Sequence, residues 1–242
     1  MTDLTGKRAI ITGAGGGLGR AAARRLAADG ADLVLTDVAL DMMSDLGEEL
    51  GALVLEMDVR SSKSIRGAFA ESLADGRGLD VLVNFAGVVD TTPLDQVTAD
   101  DWDRVMEINV RGTFVCCQVA LEYMNDGGAI VNIGSRAGLV GGTTSGVSYA
   151  ASKAAVICLT KSLAKFAAPR SIRVNCVNPG LIDTPMLDEF SPSVRESMPK
   201  QSPFGRLGTA EEIAGGVAYL VGNDSTYMTG AQLNVNGGSI ML

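Results

Sequence analysis

"RAIITGAGGGLGRAAARRLAADG", residues 8–30, decides the fold. Its first five residues are a run of strand length with an apolar centre, and residues 18–29 are alanine-rich with a helical period. Between them lies a turn dominated by glycine. Glycines let the backbone reverse sharply and come close to a diphosphate, whose charge then faces the N–H groups and positive end of the following helix. Strand, glycine turn and helix occur in the order that a nucleotide-binding βα unit requires. Gly13, Gly16, Gly17, Leu18 and Gly19 are therefore the candidate diphosphate contacts.

The same rhythm continues outward. The apolar runs "DLVLT", "ALVLEM", "LDVLVNFAG", "GAIVNIGS", "IRVNCVNPG" and "AQLNVNGG" alternate with helical stretches near residues 41–50, 61–73, 99–124, 148–168 and 209–221. The early runs are apolar without alternation, as expected where helices cover both faces of a sheet. Strands separated by single helices predict a Rossmann-type α/β fold, a doubly wound parallel sheet of about seven strands with helices on both faces. No repeat, low-complexity tract or linker interrupts it, so residues 1–242 read as one domain. A cofactor half spans about 1–130 and a catalytic and substrate half about 131–242. One segment breaks the rhythm: residues 181–208 contain four prolines and no steady apolar period. Following a strand's carboxyl end, where α/β ligands bind, it reads as a substrate lid with short helices.

Composition removes several function classes. With 20 basic and 28 acidic residues the formal net charge is −8, and no basic block offers a grip on nucleic acid or anionic lipid. The 242 residues contain no histidine, which excludes Ser-His-Asp hydrolysis and His-ligated zinc. Four cysteines lie in apolar runs without CxxC spacing, so they read as reduced thiols of a cytoplasmic protein, with no metal site. The N-terminus does not read as an export signal, and no apolar stretch reaches membrane-spanning length. Acid–base chemistry is left to Tyr, Lys, Cys, Asp or Glu.

Asp37 ends the second apolar run, 18 residues after Gly19, where an acid would accept hydrogen bonds from an adenosine ribose. An N-cap for the next helix is the plainer role, and the two are compatible. A 2′-phosphate about 4 Å from Asp37 would be repelled by roughly 4 kcal/mol per unit charge at an effective dielectric near 20. No Lys or Arg follows at 38–40 to offset this, so NAD is expected over NADP.

Beyond the glycine turn, the motifs resemble those of the short-chain dehydrogenase/reductase family. "TGAGGGLG" matches its TGxxxGxG pattern, and "NFAG" (residues 84–87) its NNAG, with Phe85 in place of the second asparagine. "YAASK" (residues 149–153) matches YxxxK, "NPGLIDT" (residues 178–184) resembles PGxxxT, and Ser135 and Asn109 match a serine after strand five and an asparagine in helix four. The motifs keep family order across nearly the whole chain. Alone, "YAASK" would read as a helix with two polar residues on one face.

The resemblance implies hydride transfer between NAD and a secondary alcohol or ketone. Tyr149 would take the hydroxyl proton. Lys153, one turn on, would favour the phenolate by its charge and bond the nicotinamide ribose. Ser135 would hold the substrate oxygen, and Asn109 a water linked to Lys153. Asp58 and Val59 would lie by adenine, Asn84, Ala86 and Gly87 by ribose, although Asn84 is mainly structural in the family, and Pro179, Gly180, Ile182 and Thr184 by the nicotinamide and diphosphate. By analogy Val88, Val89, Arg136, Val140, Ser145, Leu181 and Met186 line the substrate pocket, together with Ser135 and Tyr149. Arg136 would bind a carboxylate, point to solvent or pair with Asp183. The glycine-rich loop before Tyr149 is expected to form a flexible wall. Family habit implies a homotetramer. A catalytically silent NAD-binding sensor or scaffold, and a lyase or epimerase using NAD transiently, are the alternatives.

Overall fold

The computed structural model describes residues 2–142 and 145–241. Its strands are β1 (Arg8–Thr12), β2 (Asp32–Asp37), β3 (Leu53–Glu56), β4 (Leu79–Asn84), β5 (Met124–Ile133), β6 (Arg173–Pro179) and β7 (Gln232–Val235). They form one parallel sheet in the order β3-β2-β1-β4-β5-β6-β7. The helices are α1 (Gly17–Ala28), α2 (Ser44–Leu50), α3 (Ser62–Ser72), α4 (Ala99–Met106), α5 (Thr113–Tyr123), α6 (Ala137–Val140), α7 (Val147–Ala167), α8 (Pro192–Ser197) and α9 (Ala210–Val221).

Two cores explain why the strands lack alternation. Ile10, Val34, Leu82, Ile130 and Val174 pack with α3, α5 and α7 on one face. Their neighbours Ile11, Leu35, Val83 and Val131 pack with α1, α2 and α9 on the other. Burying each such side chain contributes about 1.5–3 kcal/mol, so every strand position on either face favours this register. Three of the helices start on side-chain caps. Thr98 and Asp101 form a capping box at α4, Thr209 and Glu212 another at α9, and Ser61 caps α3.

One departure from the expected elements, and one segment that holds short helices as expected, bear on the site. The helix expected over residues 99–124 is interrupted by a π-helical turn at Glu107–Gly112, between α4 and α5. Residues 181–208 hold α8 and two 3-10 turns, Pro185–Glu189 and Met198–Gln201. That segment is pinned at its base, where Asp183 N donates to Gly208 O and Gly208 N to Leu181 O, both at 2.9 Å. Among the described residues no helix is long and apolar enough to cross a membrane.

β1 pairs with β2 on one side and β4 on the other, and the chain leaves this pair in opposite directions. Such a switch point opens a crevice beyond the strands' carboxyl ends. A cleft of about 1010 Å³ lies there, running from Asp37 past the glycine turn to Tyr149 and the 181–201 segment.

Candidate active site

At one end of the cleft the glycine turn joins β1 to α1. Gly13 has φ +66°, and a Cβ there would fall 2.5 Å from Ala86 N, so only glycine lets the turn pack on the β4 loop. α1 has no side-chain cap and no acid in its first turn, although Gly16, Gly17, Leu18 and Gly19 line the cleft. Its first N–H groups thus lack intrahelical partners and face the cleft at the positive end of a twelve-residue helix. That arrangement fits a diphosphate.

Asp37 stands beside this turn at the end of β2. Its Oδ2 accepts from Gly15 N at 3.0 Å and its Oδ1 from Val38 N at 2.7 Å. It caps no helix, because the next turn has Ala39 as its N-cap. The carboxylate has lone pairs left for hydroxyls. Across the cleft Asp58 forms a bidentate pair with Arg60, whose guanidinium lowers the carboxyl pKa. Val59 lies beside it on the cleft wall.

The chemistry-bearing end is built on α7. Gly146 precedes it at φ +68°, 2.3 Å from Asp90 O if it bore a Cβ, and Ser148 Oγ donates to the buried Asp90 Oδ2 at 2.8 Å. These contacts fix the helix start against the loop after β4. One turn in, Lys153 Nζ sits 5.7 Å from the centroid of the Tyr149 ring and donates to Ile133 O at 2.9 Å. Burial pushes Lys153 down to about 8 and pushes the Tyr149 phenol up, while a hydrogen bond with Ser135 acts to lower the phenol. The expected influence of Lys153 on Tyr149 is therefore opposed by desolvation in this structure. Cys117 and Cys176 do not compete for the proton. Burial holds Cys176 at about 11 and Cys117 at about 12.

Asn109 reaches this end through the π turn. Its Oδ1 accepts from Val88 N at 2.8 Å, and its Nδ2 donates to Val88 O at 2.9 Å and Ser152 Oγ at 3.0 Å. Its own carbonyl accepts from Thr113 Oγ1 at 2.8 Å. A π turn inserts one residue into the helical repeat and rotates the next helical turn. Here it places an amide between the β4 loop and α7.

Of the residues expected at the site, all but two line this one cleft: Gly13, Gly16 to Gly19, Asp37, Asp58, Val59, Ala86 to Val89, Ser135, Arg136, Val140, Ser145, Tyr149, Lys153, Pro179 to Ile182, Thr184 and Met186. Asn109 stands behind the wall, its side chain buried. Asn84, expected at the ribose, is not on the wall. It is buried among β4, β5 and α5, where its Nδ2 donates to Asn132 Oδ1 at 2.8 Å. Strand alternation turns Asn84 inward while Ala86 and Gly87, past the strand end, face the cleft. The expected flexible wall includes residues 143 and 144, which lie outside the described residues; residues 137–140 form α6.

The structure adds residues that no motif marked. Met42, Met57 and Arg60 line the cleft near Asp37 and Asp58, and Phe190, Met198 and Gln201 line it from the 181–201 segment. For Arg60 the chain offers one signal, its place two residues after Asp58. Phe190, Met198 and Gln201 carry no periodic signal.

Arg136 does not pair with Asp183. Its Nη2 donates to Gln201 Oε1 at 2.7 Å, and partial burial lowers its pKa.

Residues 13–239 match the family model described as Enoyl-(Acyl carrier protein) reductase. The chain is 37% identical to the 3-oxoacyl-(acyl-carrier-protein) reductase FabG of Aquifex aeolicus, over 97% of this chain and 98% of that one. The chain belongs to the short-chain dehydrogenase/reductase family. Another relative is the cis-4-hydroxycyclohexanecarboxylate dehydrogenase of Sinomonas cyclohexanicum, 39% identical over 95% of both chains. Among solved structures, a blue fluorescent protein from a metagenomic library in complex with NADPH matches with a TM-score of 0.92. That match is 39% identical and covers 99% of this chain and 100% of the other. Short-chain dehydrogenase/reductase membership makes the protein an oxidoreductase dependent on a nicotinamide dinucleotide.

Proposed function

We propose that the protein interconverts a secondary alcohol and its ketone, with NAD as the hydride carrier. The observation that carries this reading is the convergence of Tyr149, Lys153 and Ser135 on one cleft with an uncapped helix N-terminus and Asp37 at its other end. The bound dinucleotide supplies the hydride acceptor. Tyr149 takes the hydroxyl proton in oxidation and returns it in reduction. Ser135 donates to the substrate oxygen and stabilises its developing charge. Lys153, with a pKa near 8, bears positive charge at neutral pH, and a positive charge near the phenol favours the phenolate against burial. Asn109 acts by position, holding Val88 and Ser152 around the pair.

The preference for NAD rests on Asp37. Arg60 also lines that end of the cleft, but Asp58 already compensates its charge. The NADPH in the solved neighbour belongs to a chain 39% identical, so the choice of dinucleotide here depends on this chain's own residues. We further infer a homotetramer in the cytoplasm. The apolar Trp102, Phe114 and Phe166, exposed on α4, α5 and α7, support subunit pairing, and the free cysteines suit a reducing compartment.

The test is reduction of NAD with a panel of secondary alcohols, followed by appearance of reduced nicotinamide. Tyr149→Phe is expected to lower turnover by about 10²–10⁴-fold, the usual worth of a general acid or base, with NADH affinity nearly unchanged. A variant that keeps most of its turnover removes Tyr149 from this role. Tight NAD binding without turnover of any alcohol or ketone favours a sensor or scaffold instead.

A further inference from the structure

Charge is distributed unevenly along the cleft. Asp37, Asp58 and Arg60 lie at the dinucleotide end, and Lys153 sits beneath Tyr149. Beyond Ser135, Arg136 is the one charged side chain among the described residues of the wall. Its surroundings there are apolar, with Val88, Val140, Leu181 and Met186. Other arginines of the chain, such as Arg60 and Arg206, are neutralised by Asp58 and Glu212. Among the described residues Arg136 has no carboxylate within ion-pair distance, and its side-chain partner is the neutral Gln201.

The geometry of that pair matters. A guanidinium has only donors, so Gln201 must present Oε1 to it and turn Nε2 away. Gln201 also lines the cleft, and its Nε2 has no partner among the described residues. The pair therefore offers the remaining guanidinium N–H groups together with an adjacent amide N–H. Two neighbouring donor groups bearing one positive charge match the two oxygens and single negative charge of a carboxylate. Partial burial, which already lowers the Arg136 pKa, strengthens attraction to such an anion over that in open water.

We propose that the substrate carries a carboxylate in addition to its hydroxyl or keto group, and that Arg136 and Gln201 receive it. The substrate is then a hydroxy or keto acid whose apolar body spans the valine, leucine and methionine wall between its two polar ends. This inference rests on the alcohol/ketone reading given above.

The probes are 4-oxopentanoate, 5-oxohexanoate and 6-oxoheptanoate, each with its methyl ester, assayed with NADH. Wild type is expected to prefer at least one acid over its ester by about 10- to 100-fold in kcat/KM, the range of one charge-assisted hydrogen bond. Arg136→Gln is expected to bring that ratio close to one by slowing the acids far more than the esters, and a urea midpoint close to that of wild type shows that the variant is folded. A wild-type ratio near one for all three pairs overturns the proposal. So does a variant that slows acid and ester equally, as a purely structural Arg136–Gln201 contact would.

Calorimetric titration of the same acids and esters, with and without NADH, separates this inference from the reading beneath it. If no ketone is reduced, the oxidoreductase reading fails by itself. Carboxylate-selective binding that is lost in Arg136→Gln still supports the anion site, and equal binding of acid and ester rejects it.

Discussion

Lys153→Met offers a direct measure of the electrostatics at this site. Lys153 is 6% exposed, and burial lowers its pKa from 10.5 to about 8. Between these values the unfolded chain binds a proton that the folded chain does not, so stability rises as pH increases through the window. The charged lysine thus imposes its full penalty below pH 8, and the penalty fades as pH approaches 10.5. Integrated over that window, the penalty is about 3 kcal/mol at pH 7 and about 1 kcal/mol at pH 10. Methionine has similar length and no charge, so the variant escapes this term but loses the bond to Ile133 O at both pH values. Relative to wild type, Lys153→Met should therefore lose about 2–3 kcal/mol of stability between pH 7 and pH 10. Urea unfolding of both proteins at the two pH values measures this, provided the m-values agree. A stability difference that stays constant with pH would refute the claim that Lys153 is held in a desolvated site.

Two substitutions probe the dinucleotide end. Asp37→Ser removes a carboxylate beside Gly15, and screening reduces the roughly 4 kcal/mol repulsion expected at 4 Å to about 1–3 kcal/mol. The NAD over NADP ratio in kcat/KM should fall by about 10- to 100-fold; a wild-type enzyme that already prefers NADP contradicts the argument. Gly13→Ala places a Cβ 2.5 Å from Ala86 N at φ +66°, and should destabilise the fold by at least about 2 kcal/mol and weaken NADH binding. Denaturant midpoints and NADH titration test it, and an unaltered midpoint would show that the turn relaxes freely.

Much of the fold was legible because its signals are local. Runs such as "AIIT" and "DVLVN" lack alternation since both faces of β1 and β4 are covered, and two of the covering helices, α3 and α9, begin at the cap residues Ser61 and Thr209. The interruption of the long helix at Glu107–Gly112 was not legible, because helical spacing shows no difference between an α and a π turn over six residues. The position of Asn84 was legible only as one of two readings, structural or beside the ribose. Its motif lies at a strand end, where one residue of alternation separates the buried Asn132 contact from the cleft wall.

By itself the sequence determined the βα alternation, the glycine turn before an alanine-rich helix, and the one-turn spacing of Tyr149 and Lys153. These follow from backbone conformation and from periods of two and 3.6 residues, which neighbouring residues encode. Only the tertiary structure decided that Asn109 clamps Val88 through a π turn, and that Arg136 meets Gln201 rather than Asp183. It also decided that burial opposes ionisation of both Tyr149 and Lys153. Desolvation and contacts across 65 residues of chain depend on what packs around a side chain, and no local period records that.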